Sequence, residues 1–130
     1  MLPLVRLANV SGVPVADLLS EDELAGIVKR TQHGGAEIVN HLKTGSAFYT
    51  PGLAAVEMAE AVLTDSKRVL PCAAYLEGEF GFSGCFLGVP VVIGDSGIER
   101  ILEFSLTDEE KAAMAESETA VRKQMAATGL

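Results

Sequence analysis

Tryptophan is missing from this chain, and aromatic residues make up only 5% of it. Apolar residues still reach 48%, so much of that content is alanine rather than ring bulk. With a positive mean hydropathy, this describes either a soluble, alanine-rich domain or one that hides a face against a partner. Basic residues are also scarce: ten against eighteen acids, for a net charge of −8. Such a surface repels nucleic acid and anionic membrane, and the basic pairs Lys29-Arg30 and Lys67-Arg68 are too short to form a patch.

Other absences narrow the field further. Cysteine occurs twice, at Cys72 and Cys85, each inside an apolar run and without a CxxC pair or a neighbouring histidine cluster. That excludes a disulfide framework and a zinc site, and it points to buried thiols in a reducing, cytoplasmic setting. No apolar run approaches the roughly 20 residues needed to span a bilayer. Arg6 and Asn9 break the N-terminal segment, so it does not read as a signal peptide. Neither GxGxxG nor GxxxxGK[ST] is present, so the chain lacks the usual glycine-rich turns for a dinucleotide or nucleotide phosphate. No carboxylate pair suggests glycosidase chemistry.

The 130 residues suit one domain with its own core. Residues 2–10 read as a half-buried strand and 13–15 as a second extended piece after a Gly12 turn. Ser20 with Glu23 forms a capping box, and Leu24, Ile27 and Val28 continue a helical stripe. The Gly34-Gly35 pair should weaken or kink this helix before it resumes through Leu42. Pro51 opens a further helix over 51–63, expected to turn Leu53, Val56, Met58, Ala59 and Val62 inward.

Three strands follow. Residues 67–78 form one at a sheet edge or bulge because of Pro71, 85–94 one buried on both faces, and 98–104 an alternating one. Thr107 with Glu110 caps a last helix carrying Met114, Val121 and Met125, with a Glu118–Arg122 pair on its surface. The order predicts an α+β fold, an antiparallel sheet packed against long helices.

Little in these elements announces chemistry. His33 and His41 share one helical segment without an acid placed as a relay, and read as surface or capping histidines. The Gly94–Gly97 string GDSG sits between two strands and reads as a hairpin turn, not as a nucleophile motif. The residues by themselves support a soluble α+β domain without a visible catalytic group or metal site.

Four segments add more: TQHGGAEIVNHLKTGSAFYTP (31–51), AAVEMAEAVL (54–63), KRVLPCAAYLEGEFG (67–81) and GVPVVIGDSGIERILEF (88–104). In order and across nearly the whole chain, they resemble the C-terminal, substrate-side half of the lactate/malate dehydrogenases. VLPCAAYLEGEFG with GVPVVIG is similar to the malate branch. The resemblance implies one domain over 1–130, with the N-terminal NAD-binding Rossmann domain absent. Met1-Leu2-Pro3-Leu4-Val5 matches the run just after that family's catalytic histidine. No catalytic residue is therefore assigned, and neither His33 nor His41 takes the histidine's place.

The resemblance further implies a substrate-binding position at Ser46, flanked by Gly45 and Ala47, and a place for Met1 on the nicotinamide side. Ser46 has an equally simple reading as a turn before the next helix. The activity implied is interconversion of malate and oxaloacetate with NAD in the complete enzyme. The chain alone is expected to be inactive and to bind no NAD. A homo-oligomer through the helices at 20–43 and 51–63 is expected, with no nucleic-acid or membrane partner. A lactate dehydrogenase fragment and a non-enzymatic assembly module are the alternatives.

Overall fold

The computed structural model describes residues 2–129. The chain forms two compact units, Met1–Phe48 and Tyr49–Leu130. In the first unit, two two-residue strands, β1 (Asn9–Val10) and β2 (Val13–Pro14), pair antiparallel. Ser11 (φ 51°) and Gly12 (φ 89°) turn between them. Two successive left-handed residues give a turn whose twist suits a hairpin, and the Asn9 side-chain oxygen accepts the Gly12 N–H at 3.1 Å. The strand expected over 2–10 shrinks to its last two residues. Upstream, Leu7 and Ala8 bond back to Leu4 and Val5 in a 3-10 turn, Val5–Leu7. The backbone there is satisfied locally and needs no ladder. A second 3-10 turn, Val15–Asp17, replaces the end of the other extended piece.

The helix α1 (Glu21–Leu42) starts at the expected box: Ser20 accepts the Glu23 N–H, and Glu23 accepts the Ser20 N–H at 2.9 Å. It runs without a break through Gly34-Gly35, contrary to the expected kink. Glycine lowers helix stability without removing a donor or clashing with the preceding turn, as proline does. Lys43 (φ 62°) and Gly45 (φ 87°) end it in left-handed backbone. No residue of α1 is buried. Leu4, Val5, Val15, Leu24, Ile27 and Val28 line an apolar hollow of about 230 Å³ beside its first half.

The second unit holds α2 (Tyr49–Leu63), β3 (Arg68–Glu77), β4 (Ser83–Gly94), β5 (Gly97–Ile101) and α3 (Asp108–Thr128). The three strands form one antiparallel sheet in the order β3-β4-β5. β4 alternates rather than being buried on both faces: Cys85, Leu87, Val89, Val91 and Ile93 are buried, while Phe86 and Gly88 are exposed. The reason is that α2 and α3 both pack on the same strand, and the core gathers on the one face. Leu76 and Val91 are fully buried there, each worth about 1.5–3 kcal/mol.

Pro71 lies at an edge, as expected, and the bulge is elsewhere, at Leu76/Glu77. Its partner in register is Pro90. Two prolines cannot exchange N–H bonds, so the donorless side of Pro71 faces the open edge and blunts it against another strand. β5 stops at Ile101, short of the expected residue 104. Leu102 still donates to Pro90, but Glu103 turns toward the β3–β4 connection, where it accepts the Phe80 N–H.

Two residues before Pro51, α2 already begins, and proline is tolerated in a first turn. Its expected inward face is corrected. Leu53, Val56, Met58 and Ala59 are exposed, Val62 is half-buried, and only Ala61 is buried. An almost uniformly apolar helix has no stripe to read, and the sheet selects the small side chain that permits close approach. α3 follows expectation. Thr107 and Glu110 form its capping box, Met114, Val121 and Met125 pack on the core, and Arg122 pairs with Glu118. Arg122 also donates to the Ser83 carbonyl at 2.6 Å.

Candidate functional site

Gly45, Ser46 and Ala47 lie in the irregular stretch after α1, with Gly45 in the left-handed region. That backbone favours glycine because a Cβ would be strained there. Ser46 is exposed and Ala47 half-buried, so a short hydroxyl stands on open backbone between small neighbours. Such a group can donate one hydrogen bond to a carboxylate oxygen or accept from an N–H. Met1, expected beside the nicotinamide, lies outside the described residues.

His33 and His41 are both exposed on α1. Because the helix is unbroken, eight residues rotate them about 80° apart, and they do not converge. Glu37, between them in sequence, is claimed by Arg30: the guanidinium donates at 2.8 and 3.1 Å. Arg30 holds the Glu37 carboxyl below its ordinary range, with a smaller contribution from His41.

A charged cluster missed in the sequence sits at one end of the sheet. Asp65, Asp95 and Glu99 converge within 4.8 Å. Lys67 enters this group, its ammonium 2.6 Å from Asp65 and 2.5 Å from Glu99. The Asp65 carboxylate also accepts the Asp95 N–H at 2.9 Å. Lys67 hydrogen bonding, then the Asp95 amide, lowers the Asp65 pKa, and the same two carboxylates raise that of Lys67. A lysine thus supplies the positive charge a metal would otherwise bring. The cluster ties the α2–β3 connection to the β4–β5 hairpin and closes over Gly94, where a Cβ would collide with Glu99, Asp65 and Lys67. Asp65 and Asp95 lie 30 positions apart in sequence and Lys67 and Glu99 lie 32 apart, so no local pattern announces the cluster. The GDSG string is the hairpin turn it was read as, with Ser96 bonded to Asp95.

None of the described α-helix starts has the usual form of a dinucleotide phosphate site. Phosphate binding at a helix N-terminus needs free N–H groups. In α1 and α3 the capping box occupies one first-turn N–H, that of Glu23 or Glu110, and three acids stand in each first turn. α2 carries none there, but no glycine-rich turn leads into it.

Residues 1–128 match the family model described as lactate/malate dehydrogenase, alpha/beta C-terminal domain. A malate dehydrogenase of Roseiflexus castenholzii is 52% identical over 126 residues, 97% of this chain and 41% of that protein. The structure of a malate dehydrogenase from Salinibacter ruber matches with a TM-score of 0.90 at 46% identity, over 95% of this chain and 40% of that one. A lactate dehydrogenase from Eimeria maxima, solved with NADH and oxamate, matches with a TM-score of 0.88 at 35% identity, over 98% and 42%. The chain spans about two fifths of the length of these relatives.

Proposed function

The chain belongs to the lactate/malate dehydrogenase family, as its alpha/beta C-terminal domain, and from that membership we propose that it is the substrate side of an enzyme interconverting malate and oxaloacetate. The observation that carries the choice of substrate is the 52% identity to a protein named malate dehydrogenase over 97% of the chain. The lactate dehydrogenase match is weaker, at 35%.

In this reading NAD supplies hydride chemistry from a Rossmann domain outside residues 1–130, and the proton-transferring histidine lies there too. Ser46 donates its hydroxyl to a substrate carboxylate, while Gly45 and Ala47 leave room for the ligand. Taken alone, the 130 residues have no turnover and bind no NAD, since no described helix end accepts its phosphates. The two thiols, both free, suit a cytoplasmic protein. None of the described helices is long and apolar enough to cross a membrane. Self-association runs through α1 and α2, whose exposed Ile27, Ile38, Leu53 and Val56 otherwise face water.

The test is NADH-dependent oxaloacetate reduction by the purified 130-residue chain, and by the same chain joined behind the dinucleotide-binding domain of a malate dehydrogenase. We expect no rate from the first and turnover from the second. A folded but inactive fusion overturns the enzymatic reading, and a preference for pyruvate moves the domain to the lactate branch.

A further inference from the structure

The C-terminal end of α1 departs from helical geometry in two steps. The Lys43 N–H donates to the Val39 carbonyl at 3.0 Å and closes the last helical bond. One residue later the Thr44 N–H turns back to the Leu42 carbonyl at 2.7 Å, with Lys43 between them at φ 62°, ψ −34°. A bond between residues two apart around a positive φ is a γ-turn of the rarer, strained hand. Helices that end in left-handed backbone usually place glycine at the turning residue, and here a lysine takes it. Glycine follows two positions on, at Gly45, φ 87°. Lys43, Thr44 and Gly45 are all exposed, so burial does not impose the conformation. Residues held in strained backbone gather at active sites and ligand clamps.

We propose that this γ-turn positions the Ser46 hydroxyl, with Lys43 and Thr44 as positioning residues that act through their backbone. The inference rests on the reading that Ser46 meets a substrate carboxylate. A serine oxygen stands one atom beyond Cβ and has only χ1 to adjust, so the backbone decides where it points. A longer side chain follows a displaced loop. A serine does not, and its hydrogen bond is lost once donor and acceptor drift beyond about 3.5 Å. The 22-residue α1 is the base from which the loop departs. The turn at Lys43 and the bend at Gly45 join that base to Ser46, so little chain is left to order when substrate arrives.

KM for oxaloacetate, measured in the fusion with the dinucleotide-binding domain, decides it. Thr44→Pro removes the N–H that closes the turn and drives Lys43 toward extended backbone. It should raise KM roughly tenfold, the loss expected for one hydrogen bond to a carboxylate. Lys43→Val puts a branched side chain where φ is positive and should do the same, which keeps the test intact if Thr44→Pro does not fold. Lys43→Gly keeps the turn and should keep the parental KM. Added to Ser46→Ala, Thr44→Pro should raise KM no further, because the turn acts through that hydroxyl, whereas an independent structural effect would add. A parental KM in Thr44→Pro and Lys43→Val, where Ser46→Ala raises it, overturns the positioning role alone. So does a raised KM in Lys43→Gly, or an additive double variant. A parental KM in Ser46→Ala instead overturns the reading of Ser46 on which the proposal rests.

Discussion

The Glu103 carboxylate accepts the backbone N–H of Phe80 at 2.7 Å, and Phe80 stands in left-handed backbone at φ 54°, ψ 14°. An aromatic residue in that region costs on the order of 1–2 kcal/mol. The return is packing: the Phe80 ring meets Phe104 edge-to-face, with centroids 5.4 Å apart, and lies against the core. Glu103→Ala should therefore destabilise the chain by about 1 kcal/mol, read as a lower urea midpoint. Glu103→Gln should cost less, because an amide oxygen still accepts the N–H. Equal losses from both would mean that the bond does not hold the turn.

Glu103 also shows where the sequence stops being legible. Ser20/Glu23 and Thr107/Glu110 were readable because a capping box spans three residues and needs no tertiary context. The three strands were readable by composition, though β5 ends at Ile101 because Glu103 and Phe104 serve the β3–β4 connection instead. Which faces are covered was not readable. β4 is apolar at nearly every position, as is α2, so neither shows a period. The outcome, Ala61 inside and Leu53 outside, depends on the packing partner. Ser46 was singled out through family likeness alone, since nothing in its local pattern separates a ligand-facing hydroxyl from a turn residue.

Gly94 tests the charged cluster. A methyl group there overlaps Glu99, Asp65 and Lys67, while one at Gly88 on the same strand meets nothing within 4 Å. Gly94→Ala should cost about 1–3 kcal/mol, and Gly88→Ala should stay within about 0.5 kcal/mol of the parent. Thermal unfolding of the two variants compares them directly, and similar melting temperatures would show that the cluster moves aside freely.

Acid should loosen both ends of β3. Asp65 is held below its ordinary value of 3.8 by Lys67 and the Asp95 amide. Glu79 is held below 4.5 by backbone N–H groups, that of Glu77 foremost. A carboxylate with a depressed folded pKa binds fewer protons than it does unfolded at the same pH. Its contribution is thus complete above the ordinary value and is lost as pH falls through the folded one. The urea midpoint should drop below a pH of about 4.5. Lys67→Met should be less stable than the parent at neutral pH, with the gap narrowing toward acid as Asp65 loses its charge. A gap that stays constant with pH would exclude the ion pairs as its source.

Ser46→Ala addresses the substrate site in the active fusion. Loss of one hydrogen bond to a charged carboxylate is worth about 1.5 kcal/mol, so KM for oxaloacetate should rise roughly tenfold. With the bond made equally in ground and transition states, kcat should change little. Gly45→Ala should act differently, because φ 87° strains any side chain there, and the displaced loop should lower kcat as well. An unchanged KM in Ser46→Ala would return Ser46 to its simpler role as a turn residue.

The exposed apolar side of α2 makes the last case. Leu53 and Val56 are 63% and 62% exposed, and i,i+3 spacing sets them side by side on the helix. Leaving two such side chains in water forgoes about 1.5–3 kcal/mol each, which a partner helix recovers on contact. Leu53→Glu/Val56→Glu should leave the fold intact, because neither residue touches the buried cluster. It should lower the association state. Circular dichroism checks the first point and sedimentation the second. An unchanged mass with native helix content would remove α2 from the interface and leave α1 as the helical contact to examine.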